Sequence, residues 1–260
     1  MTFPVTRHTL IQRLAQGGDG EDWQAFLRDY WGAVCRFARN IGHLSFDDSE
    51  DVASEVFETI LRARLLRRWT EAPTAKLRTL ICAVARNVLC NRSRTEQGRA
   101  RIVRDQLGQL DRYQPDVSAE ATEASEEQMD AFCTAWAESL VQTAVDGLLQ
   151  EYSRSNRTDY FRVLYGRLCE DLSMTEIADA LRIPVSSADN YFRHARGRLA
   201  ERLEELVQLH VRRYCVPEEV RAEFALEWNR LKKILQRFGG LESTVRAIHA
   251  NDQPGCHHQW

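Results

Sequence analysis

Residues 172–202 constrain this chain more than any other stretch, because they spell two helices with a stop between them. Ser173 followed by Glu176 has the spacing of a capping box, in which each side chain satisfies a backbone donor near the other, so a helix is expected to begin at Met174. Ile177, Ala178 and Leu181 give that helix one apolar face. Pro184 disfavours helical geometry at Ile183 and lacks the donor that a continuing helix needs, so the pattern breaks there. Ser186 is a good cap for a second helix, whose inward stripe is Ala188, Phe192, Ala195 and Leu199. Between those positions lie Ser187, Asn190, Tyr191, Arg193, His194 and Arg196, the polar and cationic types that contact base edges and phosphates. The same spacing also suits an ordinary helical hairpin with a solvated basic face.

At 260 residues the chain can hold two small domains, and 28% charged with 43% hydrophobic residues suits a soluble globular protein. No apolar run approaches the ~20 residues of a membrane span, and the N-terminus has no apolar signal core. Seven cysteines (Cys35, Cys82, Cys90, Cys133, Cys169, Cys215 and Cys256) are scattered, odd in number and never paired as CxxC. They read as reduced thiols in a cytoplasm, so a cytoplasmic protein without a membrane partner is expected.

The net charge of −3 hides a sorting of charge into blocks. Residues 62–104 hold twelve cations against two acids, whereas residues 45–58 hold six acids and no cation. Six more acids stand unopposed in residues 115–130. A polyanionic partner would be attracted to the first block and repelled by the other two.

The periodicity predicts an all-α protein. Trp23, Phe26, Leu27, Tyr30, Trp31, Val34, Ala38 and Ile41 recur at helical spacing, and Gly42-His43-Leu44 ends that helix. The acidic block opens the next, with Val52, Val56, Phe57, Ile60 and Leu61 as its buried stripe and its acids where the helix dipole favours them. Pro73 and Thr74 mark a loop before a third helix built on Leu77, Leu80, Ile81, Val84, Val88 and Leu89. Its other face bears Arg78, Arg86, Asn87, Asn91, Arg92 and Arg94. Residues 106–127 lose this periodicity and read as a flexible acidic linker. Helices resume over 129–150 and 159–169, then the two-helix stretch, then 218–238, which ends at Gly239-Gly240.

Three motifs in order resemble a small RNA polymerase sigma factor of the extracytoplasmic-function type, within the sigma-seventy family. Residues 48–57 (DSEDVASEVF) resemble that family's core-polymerase-binding helix. Val84-Ala-Arg-Asn-Val88, followed by Asn91 and Arg94, resembles the helix that meets the downstream promoter element. Leu172-Ser-Met-Thr-Glu-Ile-Ala178, with Ile183-Pro184 and the Ala195-Arg196-x-Arg198-Leu199 ending, resembles the upstream-element reader. The matches span roughly residues 10–208. The chain departs from the family at Leu80, where many members carry Trp, at Asn91, where an acid is common, and at Asp189, where a cation is frequent.

The resemblance implies four parts. Residues 1–105 would be sigma domain two, 106–128 an acidic linker, 129–208 sigma domain four with its helix-turn-helix, and 209–260 a C-terminal helical extension and tail. Asp48, Glu50, Asp51 and Glu55 would lie near the face that docks on core RNA polymerase, where complementary charge aids encounter. Arg78, Arg86, Asn87, Asn91, Arg92 and Arg94 would face promoter DNA where it melts, with Trp69 in the preceding loop as a stacking surface. Ser186, Ser187, Asn190, Arg193 and Arg196 would contact bases or phosphates of the upstream element, and an anti-sigma regulator is a candidate further partner. No catalytic constellation, cofactor or metal is expected. Gly17-Gly18-Asp19-Gly20 lacks the Lys-Ser/Thr of a P-loop, and Cys256-His257-His258 is three clustered ligand types in a tail.

Two other classes fit parts of the chain. A helix-turn-helix regulator that binds duplex DNA without polymerase needs no acidic docking helix, but needs a dimer interface or an effector pocket. An RNA-processing enzyme or nuclease would need a carboxylate-metal cluster within the basic block, which lacks one. The apolar stripe of Val220, Phe224, Trp228, Leu231, Leu235 and Phe238 must bury against something, and the chain's own helical domains are the expected partner.

Overall fold

The computed structural model describes residues 9–62, 64–71, 76–105 and 125–252. Among the described residues every regular element is an α-helix, and no helix is long and apolar enough to cross a membrane. In chain order they are α1 (Leu10–Ala15), α2 (Gly20–Gly42), α3 (Phe46–Arg62), α4 (Leu65–Glu71), α5 (Leu77–Asp105), α6 (Glu126–Arg154), α7 (Thr158–Cys169), α8 (Met174–Leu181), α9 (Val185–Tyr214), α10 (Val220–Arg237) and α11 (Leu241–Asp252). Most of the expected acidic linker, and the Cys256-His257-His258 cluster, lie outside the described residues. Packing separates the chain into two units, Leu10–Trp136 and Ala137–Trp260, and the boundary falls inside α6.

In the first unit the local signals act as the chemistry requires. Asp19 caps α2 by accepting from the backbone of Asp22 at 2.8 Å, and Arg13 binds Asp22 at 2.7 Å, tying α1 to α2. His43 ends α2 in the left-handed conformation. Ser45 then caps α3, sharing its hydroxyl with Asp48 at 2.6 Å. The core forms where the stripes of α2, α3 and α5 meet around Phe26, Tyr30, Phe37, Val56, Ile60 and Ile81, all essentially buried. Phe57 sits edge-on to Phe26 at 5.6 Å and stacked on Trp31 at 5.8 Å, so one ring locks two positions of α2. The start of α6 belongs here too, placing Phe132 5.5 Å from Phe37 and burying Trp136 completely. Ser125 and Gln128 form a reciprocal cap that starts α6 at Glu126, three residues before the apolar periodicity begins.

Two short helices escape the sequence reading. α1 and α4 hold six and seven residues, too few to show a period. Trp69 therefore stands on α4 and is half-buried, not in a loop, which is a correction to the expected stacking position.

The second unit is built around α9, against which α7, α8 and α10 pack, while α11 lies on α7. Ser173 and Glu176 form the complete capping box at the start of α8, and Arg182 closes it in the left-handed conformation. Val163, Ile177, Ala178 and Ala188 are the buried centre where α7, α8 and α9 meet, flanked by Leu172, Leu181, Ile183 and Phe192. α9 begins at Val185 with Pro184 at the cap, so Ser186 lies inside the first turn and does not cap the helix as expected. The pyrrolidine ring holds φ of Pro184 at −61°, and with ψ at 145° the residue has the extended geometry of a cap. The stripe of α10 buries Leu231, Ile234 and Leu235, and α10 packs on α9. α11 follows the Gly239–Gly240 turn, where φ of +86° and +103° favours glycine.

Candidate nucleic-acid interface

Two surfaces hold the residues singled out by the sequence, one in each unit. In the first unit α3 presents Asp48, Glu50 and Asp51 to solvent, with Phe46 59% exposed at the start of the same helix. Glu55 is half-buried and pairs with Arg92 of α5 at 3.0 Å, so this acid joins two helices and is not part of an open acidic face. Asp48 is exposed but also completes the Ser45 cap, which gives it a local structural role as well.

Of the four α5 arginines whose side chains are described, Arg78, Arg86 and Arg92 are absorbed by the fold. Arg78 is only 4% exposed and its guanidinium lies 4.0 Å from the centroid of the Trp136 ring, a cation–π contact. The expected outward position of Arg78 is therefore not where the structure places it. Arg86 and Asn87 are half-buried and bonded to each other at 2.9 Å, and Arg92 holds Glu55. Asn91 and Arg94 remain exposed, and Leu80 is half-buried. Burial pushes the Cys35 thiol up to about 11 and the Cys82 thiol to about 12, so neither is a thiolate at neutral pH.

On α9 the outcome is different. A helix turns about 100° per residue, so Ser186, Asn190, Arg193 and Gly197 fall in one row, opposite buried Ala188, Ala195 and Leu199. Every member of that row is exposed, as is Asp189 beside it, and nothing stands within van der Waals range of the Gly197 Cβ direction. Arg193 Nη1 donates to Asn190 Oδ1 at 3.2 Å, which couples the two most versatile hydrogen-bonding side chains of the row. Ser187 is half-buried on the flank. Arg196 is exposed and pairs with Glu242 of α11 at 3.2 Å.

No known protein family and no curated protein matches the chain.

Two residues in the α9 stretch contact aromatic residues of other helices, Tyr191 half-buried and His194 exposed. Tyr191 stacks on Tyr160 of α7 with centroids 4.1 Å apart. His194 Nδ1 lies 3.0 Å from the Tyr152 hydroxyl, and its ring sits edge-on to Tyr160 at 5.0 Å. Burial pushes the Tyr152 phenol up to about 12, so that hydroxyl keeps its proton at neutral pH. Helical geometry foreshadows the place of Tyr191, which flanks the inward stripe, but not that of His194, which lies nearer the outward row and is exposed.

Farther along α9 the cations turn structural again. Glu151 of α6 accepts from Arg198 at 2.9 and 3.0 Å and from Arg202 at 2.5 Å, and the Arg198 bond above all holds its carboxyl below the usual range. Gly147 leaves room for the Arg202 guanidinium, where a Cβ would collide with it. Glu242, Tyr160 and Glu151 are the partners that the sequence reading did not find. All three lie on other helices, at separations no local pattern reports.

Proposed function

We propose that the chain is a transcription initiation factor that binds core RNA polymerase and directs it to specific promoters, helping to open the downstream element. The observation that carries this reading is the outward row of α9, with Asn190 and Arg193 exposed, mutually bonded and set behind a short helix opened by a capping box. A helix with that face fits the major groove, where Arg and Asn recognise base edges bidentately. The acid-rich opening of α3, with Asp48, Glu50 and Asp51 exposed beside Phe46, supports a docking role on a basic protein surface. Among the α5 residues singled out by the sequence, Asn91 and Arg94 are best placed to meet a phosphate backbone, because both are exposed.

In this reading the promoter is the specific ligand, core polymerase the obligate partner, and an anti-sigma regulator a further candidate. The chain supplies recognition and no chemistry of its own. The deciding experiment is pulldown with core RNA polymerase followed by run-off transcription on a genomic promoter library. Capture of the polymerase and discrete start sites are expected. Duplex binding without polymerase capture would instead favour a stand-alone DNA-binding regulator.

A further inference from the structure

The Glu242–Arg196 pair joins the C-terminal extension to the one α9 cation of the candidate interface that another helix engages. We propose that α11 is a built-in competitor for nucleic acid. In this device the Glu242 carboxylate occupies the Arg196 guanidinium in place of a backbone phosphate, and DNA binding by this unit requires that pair to open. The inference rests on the DNA-reading role of α9 given above.

The placement of Glu242 is fixed from both sides. Upstream, the Gly240 backbone amide bonds the Leu235 carbonyl at 2.8 Å, closing α10 and setting the start of α11 at Leu241, one residue before Glu242. Downstream, Thr244, Val245 and Ile248 are buried. Arg246 Nε donates to the Leu168 carbonyl at 3.1 Å, and Arg246 Nη2 pairs with Asp171 at 3.2 Å. His249 sits edge-on to Tyr165 at 5.2 Å. α11 is therefore docked on α7 by its own contacts and does not need Arg196 to stay there. The acid stands in the first turn of α11, where the helix dipole also favours a negative charge.

The chemistry of the pair suits a tuner and not a lock. Both side chains are about half exposed, at 59% and 43%. An exposed ion pair of this kind is worth a factor of roughly two to five in an equilibrium, and salt screens it. A phosphate offers Arg196 the same charge with a better geometric match, since guanidinium binds phosphate oxygens in a bidentate fork. Glu242 therefore lowers affinity for any duplex by holding the cation, and repels the incoming phosphate as well.

The test uses the full chain and a fluorescein-labelled duplex of mixed sequence, titrated by anisotropy at low and at physiological salt. Glu242→Gln is expected to tighten binding about two- to five-fold at low salt, with the gain shrinking as salt rises. Glu218→Gln removes the same charge from an exposed position before α10 and is expected to do less. In an Arg196→Ala background most of the Glu242→Gln gain should vanish, because the cation it releases is gone. Equal melting temperatures across the set keep the comparison to binding. A gain that persists in full without Arg196, or that Glu218→Gln matches, would overturn the competitor and leave only bulk charge. No gain from Glu242→Gln while Arg193→Ala still weakens binding would sink the competitor but spare the DNA-reading role. Unchanged binding in Arg193→Ala and Glu242→Gln together would remove the DNA-reading role, and the competitor with it.

Discussion

α5 and α9 begin from similar sequence and end with opposite surfaces. Each shows an apolar stripe with arginines and asparagines on its remaining faces. On α5, Arg78 is drawn under Trp136, Arg92 onto Glu55 and Arg86 onto Asn87, leaving Asn91 and Arg94 as the exposed pair among the residues singled out there. On the first half of α9 the row of Ser186, Asn190 and Arg193 opens to solvent. The difference lies in the neighbours. The start of α6 brings a large ring to α5 and α3 brings a carboxylate, whereas among the described residues no acid of another helix pairs with the outward row of α9. Charge counted along a chain is thus a poor measure of charge available to a ligand.

The comparison breaks most visibly at Arg78. Truncation in Arg78→Ala removes a buried side chain and its contact with Trp136, so the first unit should lose about 2–4 kcal/mol, as for other large-to-small core changes. Arg78→Met keeps the bulk and drops the charge, and should lie much closer to wild type, since a buried charge is expensive to hold. Urea unfolding of the full chain measures both. A wild-type midpoint for Arg78→Ala would mean that Arg78 is not a packing residue and would return it to the nucleic-acid surface.

Arg193 supplies the opposite case. Arg193→Ala should leave stability within about 0.5 kcal/mol, because its contact is an exposed one on its own helix. Promoter affinity should fall by roughly 1–3 kcal/mol if the side chain reads a base, with relaxed specificity at that position. If it meets a phosphate, the loss should be uniform across sequences with a shallower salt dependence. Stability loss with intact binding would reverse the comparison between the two helices.

The acidic surface of α3 allows a similar separation. Asp48 and Asp51 were equivalent in the sequence, but Asp48 bonds the Ser45 hydroxyl that caps the helix. Charge reversal at Asp48 should therefore cost about 0.5–1 kcal/mol of stability through the cap, in addition to any docking loss. Asp51→Lys should weaken capture of core polymerase with no change in melting. Equal destabilisation by both reversals would show that the whole face is structural.

Much of this architecture is legible in the sequence where the signal is local. The Ser173–Glu176 box, the stop at Gly42-His43 and the alternation of Ala188 and Ala195 with Asn190 and Arg193 all lie within a turn or two of what they control. The all-helical fold follows from such stripes. What escapes is short or distant. α1 and α4 lack the length for a period, and Ser186 lost the cap because Pro184 already holds that geometry. Arg78 and Trp136 meet across 58 positions, and Arg196 and Glu242 across 46, so no pattern within one helix reports either contact. The candidate interface was thus legible as a set of residue types, and the division into available and absorbed cations was not.

The smallest effect expected lies in the second half of α9, where the helix reverts to the behaviour of α5. Glu151 collects Arg198 and Arg202, and the hydrogen bond from Arg198 is the chief reason that its carboxyl titrates below the usual range. A carboxyl depressed in the folded state binds fewer protons there than in the unfolded chain, so stability rises with pH across this window. The contribution should be complete above the ordinary glutamate pKa of about 4.3, and should be lost as pH falls through the lower folded value. Its size is modest because the Glu151 side chain is a third exposed and its arginines are solvated on one side. Thermal melts of wild type and Glu151→Gln between neutral and strongly acidic pH check the point. The two curves should differ at neutral pH and converge in acid, with wild type losing more. Parallel curves would mean that Arg198 and Arg202 are as available as Arg193, and α9 would then present cations along its whole length.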